Sequence, residues 1–377
     1  MRAYVYTDKG LERYAGRFVW LSINTEDAAN APFLKRYPIP VLPTLLVLDA
    51  KRNDVLLRYV GGATVPQLQT MLADSERKHR SGAEAVADRL LREADALESK
   101  GDHAAAAKSY DSAIANAPKR WPRLGRASEG LLFALSVANE IEPCATRALA
   151  LYPRVKGTVS AANVAASGLG CATGLDKSNA KRMEMIGALE KATREVLDDP
   201  KIKVAADDRS SLYITLIDAA DATGEDEAAV ALRLEWVAFL EASAAAAKTP
   251  EQRAVYDSHR IGAYLDLQTP EKAIPMLEQS ERDFPDDYNP PARLALAYKA
   301  MKKYDEALAA SDRAMAKSYG PRKLSVLTTR ADIFAARGDA KAARDTIAQA
   351  IDYARSLPEG QRSERRIAAL EKRLAEM

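Results

Sequence analysis

The chain has 377 residues, of which 47% are hydrophobic, 29% charged and only 6% aromatic. Its 55 basic and 53 acidic residues leave a formal net charge of +2, too nearly balanced to argue for nucleic acid or an anionic membrane surface as partner. No apolar run approaches the roughly 18 residues of a membrane-spanning helix, and the alanine-rich, glycine-poor composition favours helix over sheet.

The first residues, MRAYVYTDKGLERYAG, lack the apolar core and cleavage site of a signal peptide and predict the end of a helix and a connection. RFVWLSIN (17–24) alternates and is rich in β-formers, so it predicts a strand. EDAANAPFLKRY (26–37) carries Ala29, Phe33 and Tyr37 at four-residue spacing and predicts an amphipathic helix. TLLVLDA (44–50) predicts a buried strand, and DVLLRYVG (54–61), after the turn KRND, a second strand forming a hairpin. The last element of this region is a helix in GGATVPQLQTMLADSERK, with Thr64 as its cap and Leu68, Met71 and Leu72 facing inward.

IPVLPT (39–44) places Pro43 directly before a predicted strand, where it removes a backbone donor. The order helix, strand, helix, strand, strand, helix, with this loop before the hairpin and Gly61-Gly62 after it, resembles the C-terminal three-quarters of a thioredoxin-like domain over about 75 residues. The resemblance implies that Pro43 is a cis-proline and that Leu42, Pro43 and Thr44 contact an extended substrate chain. It also implies a preceding central strand and a C-x-x-C motif, and neither is in this sequence. No cysteine precedes residue 144, and thiol exchange needs a low-pKa thiolate at a helix N-terminus. Two expectations follow: the start is misassigned and the dithiol lies upstream, or the domain is a degenerate docking module. The plainer alternative is a trans loop proline in an unrelated α/β unit.

From residue 83 onward the chain is periodic. AEAVADRLLREADALESKGDHAAAAKSYDSAIANAP (83–118) carries Ala94, Leu97, Gly101, Ala106, Tyr110, Ala113 and Pro118. Small residues at 94 and 106 let two helices approach, Gly101-Asp102 makes the turn, Tyr110 fills the groove and Pro118 stops the second helix. This spacing resembles the tetratricopeptide repeat. The pattern recurs in 257–285, 290–318 and 326–354, with Tyr264 and Tyr298, and Ala273 and Ala307, each 34 residues apart. SLYITLIDAADATGEDEAAVALRLEWVAFLE (211–241) is a further copy, followed by the insert ASAAAAKTPEQR. Residues 124–200 are helical but degenerate, with Pro153 in the place of Pro118 and a helix pair in 158–175 and 179–200. SERRIAALEKRLAEM (363–377) suits a capping helix.

Cys144 and Cys171 lie on neighbouring predicted helices, 27 residues apart, and read either as a disulfide or as two buried apolar thiols. His79, His103 and His259 are isolated, with no metal-ligand spacing, and read as surface or capping residues. ASGLGCATG (166–174) lacks the lysine and strand of a phosphate loop and reads as a helix end with a turn. No nucleophile–base pair, carboxylate pair or cofactor fingerprint stands out, and no cofactor is expected. Inner-helix charges not needed for packing are expected to line a concave face: Arg92, Asp95, Arg260, Arg293, Lys299, Arg330 and Asp332. Their mixed charge suits a protein or peptide segment.

The expected fold is mainly α: a partial thioredoxin-like α/β domain (1–78), then an α-solenoid of five to seven tetratricopeptide-type helix pairs. The latter divides into 79–205 and into 206–377 with its capping helix. The expected function is non-catalytic protein–protein interaction, without nucleic acid or membrane insertion. The alternative is an exported thiol–disulfide oxidoreductase with its C-x-x-C upstream, and a pure scaffold is the third class. As written the chain is expected in the cytoplasm; with an upstream start it is expected in the periplasm or exported.

Overall fold

The computed structural model describes residues 1, 3–80 and 85–377. Its first regular elements are α1 (Ala31–Arg36), the strands β1 (Thr44–Leu48) and β2 (Val55–Val60), and α2 (Val65–Arg80). Helices α3 (Val86–Glu98), α4 (His103–Ala115), α5 (Leu124–Val137), α6 (Ile141–Val155), α7 (Ser160–Thr173), α8 (Arg182–Asp198), α9 (Ala206–Thr223) and α10 (Asp226–Ala245) follow. The chain continues through α11 (Pro250–Ala254), α12 (Asp257–Asp266), α13 (Ala273–Asp283), α14 (Asn289–Ala300) and α15 (Tyr304–Lys317). It closes with α16 (Lys323–Arg337), α17 (Ala340–Ser356) and α18 (Glu364–Glu376). The protein is thus mainly helical, with successive helices packed on their neighbours.

The chain divides into two units, Met1–Arg17 with Pro38–Leu234, and Phe18–Tyr37 with Glu235–Met377. These do not follow the expected boundaries after residues 78 and 205. The division falls inside α10, and a stretch near the N-terminus groups with the C-terminal helices.

In the first unit β1 and β2 form an antiparallel hairpin, Thr44 opposite Val60 and Val47 opposite Leu57, with an irregularity between Val47 and Leu48. This is the hairpin expected from sequence, but its burial is reversed. β1 is mostly half-exposed, whereas Val55 to Tyr59 of β2 are all buried, because α3 packs on β2. The α2 terminus is a capping box: Thr64 Oγ1 accepts from the Gln67 amide, and Gln67 Oε1 accepts from the Thr64 amide. Arg123 then ties two helices together, donating to Asp74 of α2 at 2.8 Å and to Asp88 of α3 at 2.6 Å.

Helices α3 to α9 pack each on its neighbours. Gly101 turns the chain between α3 and α4 at φ 80°, a left-handed conformation that side chains disfavour. Asp102 then caps α4 by accepting from the Ala105 amide. Ala94, Ala106 and Ala113 are fully buried, as the repeat spacing requires for close helix approach. The Sγ atoms of Cys144 on α6 and Cys171 on α7 are joined as a disulfide, with Cα atoms 6.0 Å apart.

In the second unit the pairs α12–α13, α14–α15 and α16–α17 pack together, with Ala273, Ala307, Ala331 and Ala343 fully buried at the predicted contacts. α18 covers the end, placing Ile367 and Leu370 against Leu324, Leu327, Ile347 and Ile351. It is the expected capping helix.

Several expectations fail. RFVWLSIN forms no strand: β1 and β2 make the only sheet among the described residues. A strand's hydrogen bonds lie in its neighbour, so alternation and propensity alone do not make one. The helix expected over 26–37 is a short 3-10 turn (Ala28–Asn30) and then α1, because Asp27 caps the chain there by accepting from the Ala29 amide. The first residues hold a 3-10 turn, Lys9–Tyr14, rather than the end of an α-helix. Pro153 lies inside the last turn of α6 rather than stopping it, and most of ASGLGCATG is the interior of α7.

Candidate functional site

The expected concave-face charges are of two kinds. In the first unit Arg92 is half-buried, whereas Asp95 is 0% exposed and is no surface residue. Its carboxylate accepts from Arg126 Nη1 at 3.0 and 2.7 Å and from Tyr110 Oη at 2.8 Å. The correction has a simple cause: Tyr110 on α4 and Arg126 on α5 supply polar partners where the pattern of α3 alone leaves an acid beside the core. Sequence reading placed Tyr110 in the groove without seeing that its hydroxyl needs an acceptor.

Around this pair sits a buried polar cluster. Burial raises the Tyr110 hydroxyl above its ordinary value, and the Asp95 charge adds to the shift. Burial also opposes the Arg126 charge, but Asp95 and Tyr110 more than offset it and hold the guanidinium above its usual value. Arg58 projects from β2 with all three guanidinium nitrogens buried and none hydrogen-bonded. Burial lowers its pKa, against the pull of Glu98, Tyr110 and Asp95. Glu98 Oε1 meets His103 Nδ1 at 2.8 Å while Oε2 has no partner, and burial raises this carboxyl in spite of His103 and Arg58. His103 is therefore paired to Glu98, an acid five residues before it, rather than merely capping α4.

Glu129, on α5, has both carboxyl oxygens buried without a well-formed hydrogen bond. Burial raises its pKa, with the facing Ser160, Tyr59 and Asn163 side chains pulling the other way. A carboxyl whose pKa is higher in the folded than in the unfolded chain adds stability below its unfolded pKa and loses it as pH rises through the folded one. Glu129→Gln is therefore expected to stabilise the chain by about 1–2 kcal/mol at pH 7.5, and by less near pH 5. Urea unfolding at the two pH values checks this; a loss of stability at pH 7.5 contradicts it.

In the second unit Arg260 on α12 and Arg293 on α14 converge on Asp257, which is 1% exposed. Asp257 Oδ2 accepts from Ser280 Oγ at 2.6 Å, and Oδ1 has no partner. Burial raises its carboxyl, opposed by Ser280 and by Arg293, Arg260 and Arg253. Arg253 is committed to an ion pair with Asp283. Arg260 lies over the Tyr264 ring with its Nε buried and unpartnered. Burial depresses the Arg293 pKa, with Asp257, Asp287 and Tyr288 opposing the shift. These neighbours act on the half-buried Arg293 through charge rather than through a hydrogen bond. Lys299, further along α14, is half-buried.

Arg330 and Asp332 are placed differently. Arg330 Nη1 donates to Asp312 at 2.6 Å and stacks on Phe334, and Asp332 accepts from Arg373 of α18 at 2.5 Å. Both are engaged within the array, so in the second unit the expected set narrows to Arg260, Arg293 and Lys299.

The Val41–Thr44 loop is exposed at the head of β1, with Leu42 50% exposed and the Leu42–Pro43 peptide cis. The Pro43 carbonyl accepts from the Gly61 amide at 2.9 Å, which ties the loop to the end of the hairpin. The chain's two cysteines are both in the α6–α7 disulfide.

His259 stacks on Trp236, with ring centroids 5.8 Å apart, and the side chain of His79 lies outside the described residues. Among the described residues no three His, Cys, Asp or Glu side chains are grouped to hold a metal ion, and no helix is long and apolar enough to cross a membrane.

No protein-family model and no curated protein matches the sequence. Among solved structures the chain is similar to the TPR2AB domain of yeast Sti1 in its pHSP90 complex, at 15% identity and a TM-score of 0.28, over 77% of this chain and 98% of that one. A likeness this loose assigns neither fold nor partner.

Proposed function

We propose that the chain is a non-catalytic interaction protein whose second unit binds an extended segment of a partner protein across Arg260, Arg293 and Lys299. The observation that carries this reading is Arg293. A guanidinium has five N–H donors; Arg293 is half-buried, and the groups acting on it, Asp257, Asp287 and Tyr288, do so through charge rather than a hydrogen bond, which leaves those donors for a partner. Asp257, whose carboxyl feels the Arg293 charge, has its Oδ1 buried without a partner. Such a pair of unmade bonds suits a peptide, which offers carbonyl or carboxylate oxygens to one and amide hydrogens to the other.

Peptides selected on the full chain are expected to bind the Arg293→Ala variant about tenfold or more weakly, the loss of one charge-assisted hydrogen bond. Its melting temperature should fall only modestly, since Asp257 loses one of three nearby arginines and keeps Arg260 and Arg253. Selected peptides that bind wild type and variant equally, both measured well below the melting transition, would sink the proposal.

The exposed Val41–Thr44 loop supports a second contact. β1 pairs on one side only among the described residues, and an extended peptide can add to such an edge through backbone hydrogen bonds. Leu42, Pro43 and Thr44 are the residues proposed to guide it, in keeping with the thioredoxin-like reading of the hairpin. Slower amide exchange at Leu45–Leu48 on partner binding tests this contact; unchanged exchange refutes it.

A further inference from the structure

Within the second unit, residues 24–37 are held as a ligand would be. Gln361 Nε2 donates to two backbone carbonyls, Thr25 and Asp27, each at 2.9 Å. Glu26 Oε1 accepts from Tyr288 Oη at 3.1 Å and Arg322 Nε at 3.2 Å. Asn24 Nδ2 donates to Tyr319 Oη at 2.8 Å, and Lys35 Nζ meets Glu359 at 2.7 Å. The backbones also approach closely. A side chain at Gly320 would collide with the Glu26 carbonyl, and one at Gly360 with the Ala31 carbonyl. Ala31 and Leu34 are buried, while Val19 and Leu21, just upstream, are 86% and 76% exposed.

These contacts have the grammar of peptide recognition. Two bonds go to main-chain carbonyls, which any sequence supplies. One goes to a carboxylate, which only an acidic residue supplies. Two glycines leave room for a foreign backbone, and a short helical turn brings apolar anchors. Residues 17 and 38, on either side of the segment, belong to the first unit, so the segment is a tethered occupant. A tether holds its ligand at an effective concentration on the order of millimolar, enough to fill a modest site.

We propose that residues 24–37 are an intramolecular ligand on a peptide-binding surface of the second unit formed by Tyr288, Tyr319, Gly320, Arg322, Gly360 and Gln361. When the segment leaves, the surface takes a partner segment of the same chemistry: an acidic residue in a tight turn, followed by a short apolar helix. None of these contacts uses Arg260 or Arg293, so the inference stands apart from the arginine row.

The test titrates the full chain with a labelled free peptide of residues 22–37. Wild type should bind it weakly, because its own segment competes. Glu26→Arg sets a cation against Arg322 and evicts the tether, and should tighten apparent binding at least tenfold. Adding Gln361→Ala to that variant should abolish the gain. The milder Asn24→Ala/Glu26→Gln chain, read in the same way, covers a failure of the first variant to fold. The proposal is overturned by evicted-tether variants that bind the peptide no better than wild type, or by a gain that survives Gln361→Ala.

Discussion

Asp95→Ala is expected to cost about 3–5 kcal/mol of unfolding free energy, because it leaves the buried Arg126 guanidinium without a counter-charge. The variant removes the acceptor of both Arg126 bonds and of the Tyr110 hydroxyl at once. It also removes one of the acids that offset the burial of Arg58. Most of the penalty is the stranded charge rather than the lost attraction. The double variant Asp95→Leu/Arg126→Met, which removes both charges and keeps the volume, should therefore be more stable than the single one. Urea midpoints of the wild type, the single and the double decide it. A double variant at least as damaged as Asp95→Ala would show that the pair is held by packing rather than charge. The comparison with Lys341–Asp345 is instructive. That pair joins groups 87% and 65% exposed, and its removal should change stability by less than about 0.5 kcal/mol.

Replacing both Cys144 and Cys171 by alanine is expected to cost about 3 kcal/mol. The disulfide closes a loop spanning 27 residues and so restricts the unfolded chain by roughly this amount. The two side chains are 0% and 4% exposed, so alanine also leaves a small void between α6 and α7. A reductant should lower the urea midpoint of the wild type and leave that of the double variant unchanged. If reductant shifts neither protein, the cross-link does not restrain this region. α7 carries no large side chain apart from Val164 and Leu169 along Ser160–Thr173. A cross-link there stands in for the apolar area that alanine and glycine cannot supply.

Those two sites differ in how far the sequence revealed them. The disulfide partners were visible as the chain's only two cysteines on adjacent predicted helices, with bonding left open. Asp95 was misread as a surface charge because α3, taken alone, places it one step from a core position. The feature that buries it, Arg126, is 31 residues away. The arginine row was partly legible: repeat spacing found Arg260 and Arg293, but the partners of Arg330 and Asp332 lie on α15 and α18 and had no local signature.

The sequence by itself determined the helix pairs, the turn at Gly101, the hairpin, and the capping helix. All of these rest on bonds and contacts within about 40 residues, where spacing of alanine, tyrosine, glycine and cap residues is sufficient. Only the tertiary structure decided that RFVWLSIN forms no strand, that residues 18–37 group with the C-terminal helices, and which charges are buried. A strand needs a neighbour, a docked segment needs a surface, and a buried charge needs a counter-charge. Each of these partners lies far along the chain, where periodicity carries no information about it.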